Sequence, residues 1–138
     1  MRKLVLTFIL SFVGVFSFAQ IEGKWKTIDD ETGKPKSIVE IFKKNDGKYY
    51  GKIIQLLIKP ENNNCVKCKD DRKNKPLIGL EIIRGLSKNG NEFGGGTITN
   101  PKDGKSYKTE IERDGNTLKV KALILGIAVK TQTWHKVD

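Results

Sequence analysis

The chain is poor in the residues that ordinary enzyme chemistry relies on. Its 138 residues include one histidine, His135, and two cysteines, Cys65 and Cys68. A structural zinc site wants four ligands, ordinarily Cys or His. These three fall short, and Asp70 or Asp71 would have to complete the set. No metal and no other cofactor is therefore expected. Beyond residue 19 the serines are Ser37, Ser87 and Ser106, and none sits in a Gly-x-Ser-x-Gly elbow. His135 has no recognisable catalytic partner nearby in sequence. The carboxylate pairs Asp29-Asp30 and Asp70-Asp71 both fall in turn-like stretches, where neighbouring carboxylates are ordinarily solvated. This inventory argues against familiar enzymatic mechanisms and leaves thiol chemistry as the one enzymatic alternative.

Three patterns are missing as well. No segment carries a sustained helical stripe, which excludes a helical domain. The best helical candidate, Pro76 to Leu86, is weakened by Gly79 and Gly85. No stretch gathers the positive charge into a basic block. Gly94-Gly95-Gly96 lacks the Lys-Ser/Thr and the following helix of a phosphate-binding loop, so it reads as a strand bend or bulge.

What is present begins with MRKLVLTFILSFVGVFSFAQ. Arg2 and Lys3 precede an apolar run from Leu4 to Phe16, and Ser17 and Ala19 put small residues before a cut. This is the layout of a secretory signal peptide cleaved between Ala19 and Gln20. The run is shorter than the ~20 residues that span a bilayer, and no later segment is apolar enough to do so. The expected product is an exported protein, periplasmic or secreted, with a single domain over residues 20–138. Removing residues 1–19 takes Arg2 and Lys3 from 26 basic residues, leaving 24 against 16 acidic ones, or +8. An exported basic protein does not ordinarily meet nucleic acid, so an anionic envelope component is the charged partner to consider.

Turn signals punctuate the remaining 119 residues. They are Asp29 to Gly33, Asn45-Asp46-Gly47, Ser87 to Asn91, Asn100 to Gly104 and Asp114-Gly115-Asn116. Between them lie short segments rich in Val, Ile, Thr, Tyr and Trp, the signature of an all-β sandwich or barrel. Strands are expected near 23–29, 36–44, 48–58, 78–84, 93–99, 105–113, 117–124 and 127–136. Eight hairpin-linked strands close most simply into an antiparallel up-and-down barrel, which leaves no edge exposed. Its interior is either filled or wide enough for one small ligand. Tyr107, Thr109 and Ile111 alternate with polar residues, as do Leu118, Val120 and Ala122, so each set marks one face. In the last strand either Thr131, Thr133 and His135 or Lys130, Gln132 and Trp134 face inward.

Gly23-Lys24-Trp25, the run from Gly96 to Tyr107, Thr131-Gln132-Thr133-Trp134, the Cys-x-x-Cys stretch and Pro76 to Leu80 occur in an order that resembles an exported bacterial family, domain of unknown function 2147. The resemblance covers about residues 23–136. It implies a small β-barrel akin to lipocalins and carries no activity with it. Gly23-x-Trp25 is also similar to the opening motif of lipocalins, in which a Trp closes one barrel end beneath a basic residue of the last strand. That resemblance gives Lys136 the covering role, as a cation–π contact. At 119 residues the domain is short for a lipocalin and nearer in size to streptavidin or fatty-acid-binding proteins.

The Cys65-x-x-Cys68 pair lies in a polar loop and not at a helix start beside a βαβ pattern, as a thioredoxin-like site would require. Lys67 and Lys69 favour the thiolate, which keeps redox exchange open. In an exported protein the favoured reading is a local disulfide. Closing so short a loop contributes roughly 2 kcal/mol, and it would fix the shape of a lid running from Lys59 to Lys75 over the barrel mouth. Three functions then compete. The first, which we favour, is binding of a small, partly apolar ligand in the lumen, with Trp25, Tyr107, Ile111, Val120 and Trp134 as lining residues. The second is an envelope interaction module using the basic surface and the cysteine loop. The third is a thiol enzyme.

Overall fold

The computed structural model describes residues 20–138, so the expected signal peptide lies outside the described residues. Eight strands follow one another: β1 (Gly23–Ile28), β2 (Pro35–Lys43), β3 (Tyr49–Leu56), β4 (Glu81–Asn89), β5 (Glu92–Asn100), β6 (Lys105–Asp114), β7 (Thr117–Ile124) and β8 (Ile127–Val137). Each pairs antiparallel with the next, and β8 returns to β1 through Lys24↔Val137, Trp25↔Lys136 and Lys26↔His135. The sheet is therefore a closed up-and-down barrel, as the turn spacing implies.

The main departure is at β4. Strand was expected from residue 78, but Pro76 to Leu80 instead forms a turn docked on β3. Gly79 N–H donates to Ile53 O at 2.6 Å, Ile53 N–H donates to Leu80 O at 2.9 Å, and Leu80 N–H donates to Leu77 O at 3.1 Å. The backbone is thus satisfied without a ladder, and the strand proper starts at Glu81 and runs on to Asn89. The glycine triplet is a bend. Pairing between β4 and β5 breaks between Arg84↔Thr97 and Ser87↔Gly94. Gly85 and Gly95, within that gap, both have a φ of 74°. Gly96 meets β4 so closely that a Cβ would sit 2.4 Å from Arg84 O.

Hairpin connections alternate between the two ends. The turns at 44–48, 90–91 and 115–116 gather at one end, beside the start of β1 and the finish of β8. That end is packed solid. Trp25, Ile41, Leu86, Phe93, Ile111 and Leu118 are fully buried there, and Tyr49 meets Phe93 edge-to-face at 5.0 Å. Removing each such side chain from water contributes about 1.5–3 kcal/mol. Trp25 Nε1 donates to Ile21 O at 2.8 Å, so the indole carries no unsatisfied donor.

The cation over the Trp25 ring is Arg113 of β6, its Cζ 5.4 Å from the ring centre, and not Lys136 as expected. Two carbonyls hold the guanidinium there: Nε donates to Gly115 O at 2.8 Å and Nη1 to Gln20 O at 2.6 Å. Lys136 is exposed at the end of the last strand.

Because Gly96 lies against backbone, which cannot step aside as a side chain tip can, Gly96→Ala should lower stability by about 1–3 kcal/mol. Urea denaturation checks this. An unchanged midpoint would mean that β4 and β5 are not so close.

Candidate functional site

The other end of the barrel is open inside. A cavity of about 820 Å³ lies between the packed end and the mouth. Register decides its walls. Ile98 stands opposite Tyr107, and Val120 stands opposite both Ile111 and Gln132. The apolar wall comprises Ile53, Leu56, Ile82, Ile98, Val120, Ala122 and Trp134. The ambiguity in the last strand is resolved by the pairs Ala122↔Lys130, Val120↔Gln132 and Leu118↔Trp134. Lys130, Gln132 and Trp134 share the inward face of β8, and His135 is exposed on the other.

Polar groups on this wall are mutually satisfied. Thr27 and Ser37 share a hydrogen bond of 2.7 Å between their hydroxyls. Trp134 Nε1 donates to Gln132 Oε1 at 2.8 Å, and Gln132 Nε2 donates to Ile28 O at 3.1 Å and to Asp30 Oδ1 at 2.6 Å. Such satisfaction lets polar groups line an apolar space at little cost. Tyr107 also lines the cavity, and its hydroxyl makes no hydrogen bond among the described residues.

Four connections surround the mouth: 29–34, 57–80, 101–104 and 125–126. The longest carries the two cysteines, which form a disulfide. Both are buried, and Cys65 Sγ lies 3.7 Å from Pro101 O. Gly104, with a φ of 73°, lets the loop rest on the 101–104 turn, since a Cβ there would meet Lys67 O at 1.9 Å. Glu61, Asn62, Asn64, Val66, Lys67 and Leu77 reach the cavity from this loop.

Two arginines tie the loop down. Buried Arg72 grips Asp70 with Nε at 2.9 and 3.1 Å and donates from Nη1 to Glu81 O at 2.9 Å. Arg84 of β4 binds Asp71 through two bonds of 2.8 and 2.9 Å and Glu81 at 3.0 Å. Asp70 and Asp71 are exposed neighbours in a turn, as expected, and they also serve as anchors. Across the mouth, Lys102 bonds Glu31 at 2.6 Å, joining turns on opposite sides of the barrel. Lys130 pairs with Asp30 beside it.

Of the expected lining residues, Tyr107, Val120 and Trp134 border the cavity. Trp25 and Ile111 lie beneath it in the packed end, because register sets them on the inner face but nearer the closed turns. Sequence reasoning missed Ile53, Leu56 and Ile82, since β3 and β4 carry apolar residues on both faces and give no alternation to read; it also missed Ile98 of β5, and it held Gln132 only as one of two alternatives for β8. Ser106 shares a hydrogen bond of 2.6 Å with Thr99, and Ser37 is held by Thr27.

Comparison with known proteins agrees with this geometry. Residues 23–136 match the family described as "Uncharacterized protein conserved in bacteria (DUF2147)". The chain belongs to this family. Among solved structures it is similar to protein HP1028 from Helicobacter pylori, described as belonging to the lipocalin family. The two share 24% identity over 87% of this chain and 84% of that one, with a TM-score of 0.75, which speaks to the fold. No curated protein matches the chain. A bacterial family and an intramolecular disulfide are together consistent with export.

The loop's attachment makes two predictions. Cys65→Ser with Cys68→Ser should cost about 2 kcal/mol of stability and expose residues 59–75 to limited proteolysis; unchanged resistance would show that the disulfide does not shape the loop. Asp70 gives the second. The Arg72 hydrogen bonds, against some burial, hold its carboxyl well below the usual carboxylate range. A folded-state pKa below the unfolded one, about 3.9, makes the contribution complete above the unfolded value and lost as pH falls through the folded one. The loop should stay protease-resistant in mild acid and open only in strong acid, whereas Asp70→Asn should open it at neutral pH.

Proposed function

We propose that this protein binds a small amphiphilic ligand in the barrel, with the apolar part inside and the polar part at the mouth. The observation that carries the reading is the cavity itself. One end of the barrel is packed solid while the other keeps about 820 Å³ open, within the roughly 300–1,000 Å³ of small-molecule sites. An apolar wall grades into a polar rim. Ile53, Ile98, Val120 and Ala122 suit an alkyl chain or a fused apolar ring. Tyr107 offers a hydroxyl to the polar part, and Trp134 forms the deep wall beside Gln132.

The rim's charges balance, with Lys36, Lys59, Lys67, Lys102 and Lys130 set against Asp29, Asp30, Glu31, Glu61 and Asp103, and Lys102–Glu31 and Lys130–Asp30 are paired directly. This favours a ligand whose head group is neutral or zwitterionic over one that needs a cluster of like charges. The loop from Lys59 to Lys75 is the cover, and the latch between Glu31 and Lys102 would part for passage. In this reading residues 1–19 are removed after Ala19, and the barrel acts in the periplasm or outside the cell.

Native mass spectrometry of the exported protein tests the proposal, together with titration of Trp134 fluorescence by a series of alkyl amphiphiles. We expect a retained or added small-molecule mass and affinity that rises with chain length. Ala122→Phe, which fills the wall, should weaken binding by about tenfold or more while circular dichroism stays unchanged. Failure of every amphiphile to bind, or equal binding by Ala122→Phe, would overturn the reading.

A further inference from the structure

The hairpin joining β7 to β8 presents apolar residues to solvent without evident benefit to the fold. Ile124 pairs with Ile127 across a two-residue turn, Leu125-Gly126. Both turn residues have positive φ, 51° and 78°. Turns of this kind ordinarily carry Asn-Gly, Asp-Gly or Gly-Gly, because a bulky L-residue is strained there. Here the position holds a leucine that is 97% exposed, followed by Ile127 at 70% and Val129 at 53%. Neither backbone preference nor core burial accounts for it.

The location narrows the explanation. The hairpin stands at the mouth, and Ile124 and Val129 also border the cavity, so its apolar surface continues into the lumen. Leu57, Ile58, Val66 and Ile78 are exposed on the loop at the same end. Cations flank the tip. Lys69 and Lys105 share with Ile124 the lining of a crevice beside the hairpin, and Lys108 stands opposite Leu123. Asp70 in that crevice is already paired with Arg72. A convex apolar tip ringed by lysines fits a soft, negatively charged, apolar-cored surface better than a preformed protein groove. The formal net charge of residues 20–138, 24 basic against 16 acidic or +8, has the same sign.

We propose that the mouth end, led by the Ile124–Val129 hairpin, docks on an anionic lipid bilayer. Leu125 and Ile127 insert at the level of the head groups, and Lys69, Lys105 and Lys108 meet the lipid phosphates. The lumen then opens toward the bilayer. This inference goes beyond the ligand reading and does not need it, since the hairpin and its lysines would dock whether or not the barrel is loaded.

The test is co-sedimentation of the exported full-chain product with vesicles of phosphatidylethanolamine and phosphatidylglycerol, and with vesicles of phosphatidylcholine alone. Leu125→Asn places a residue favoured in the left-handed conformation at the tip, so the variant should fold at least as stably as the parent. We expect the parent to bind the anionic vesicles, to release them as salt rises, and to bind neutral ones weakly. Leu125→Asn should bind at least about tenfold more weakly, and Lys105→Glu with Lys108→Glu should remove the preference for anionic lipid. Absence of parent binding, or equal binding by Leu125→Asn, would overturn the proposal. So would lipid-free dimerisation that Leu125→Asn abolishes, because the hairpin's partner would then be a second copy. Amphiphile titration of Leu125→Asn separates the two readings: it should still fill the lumen while losing the vesicles.

Discussion

Closure of the sheet through β1 and β8 is the constraint on which the rest of the molecule depends. Only three residue pairs make that seam, yet they bring Trp25 and Trp134 onto one inner surface from opposite ends of the domain. Without the seam, both terminal strands would be edges with unpaired backbone groups. With it, every inward side chain is committed to a common interior, and the only choice left is whether each level is filled or open.

The two levels differ because of side-chain volume. At the closed end, inward positions hold Trp25, Phe93, Tyr49, Leu86 and Leu118, which meet across the axis. Toward the mouth the inward positions shrink to Thr27, Ser37 and Ala122, with Ile53, Ile98 and Val120 among them, and side chains from opposite walls no longer touch. The same rule of alternation builds both levels. Arg113 then seals the packed end from below, held by carbonyls instead of by a carboxylate, so its charge remains to face the Trp25 ring.

The mouth is organised by polar ties, because its connections are too irregular for a ladder to order them. Arg72 and Arg84 turn Asp70 and Asp71 into anchors, the disulfide restrains the chain just before them, and Gly104 supplies the contact surface. Glu31 and Lys102 span the opening from opposite hairpins, where solvent screens them. An anchored loop beside a screened latch gives a mouth with one firm side and one side that yields easily. The apolar β7–β8 hairpin belongs to neither system, which is why a surface outside the molecule accounts for it better than the fold does.

Much of this architecture is legible in the sequence. Turn signals at Asp46-Gly47, Asp103-Gly104 and Asp114-Gly115, with alternation in β6 and β7, determine an antiparallel barrel, because local backbone preference and a period of two act within one strand. The pairing of Cys65 with Cys68 is local in the same sense. Thr131-Gln132-Thr133-Trp134 has no apolar alternation and leaves the inward face of β8 open, and the register with β7, which sets Gln132 beside Val120 and Trp134 beside Leu118, settles it. The covering cation was placed on Lys136 by the resemblance; tertiary structure gives that place to Arg113, because the carbonyls that hold it come from Gln20 and Gly115, far apart in the chain. The size of the cavity likewise depends on which inward residues share a level, and level is a matter of register between strands. Sequence determined what each strand could pair with; only closure decided which side chains meet.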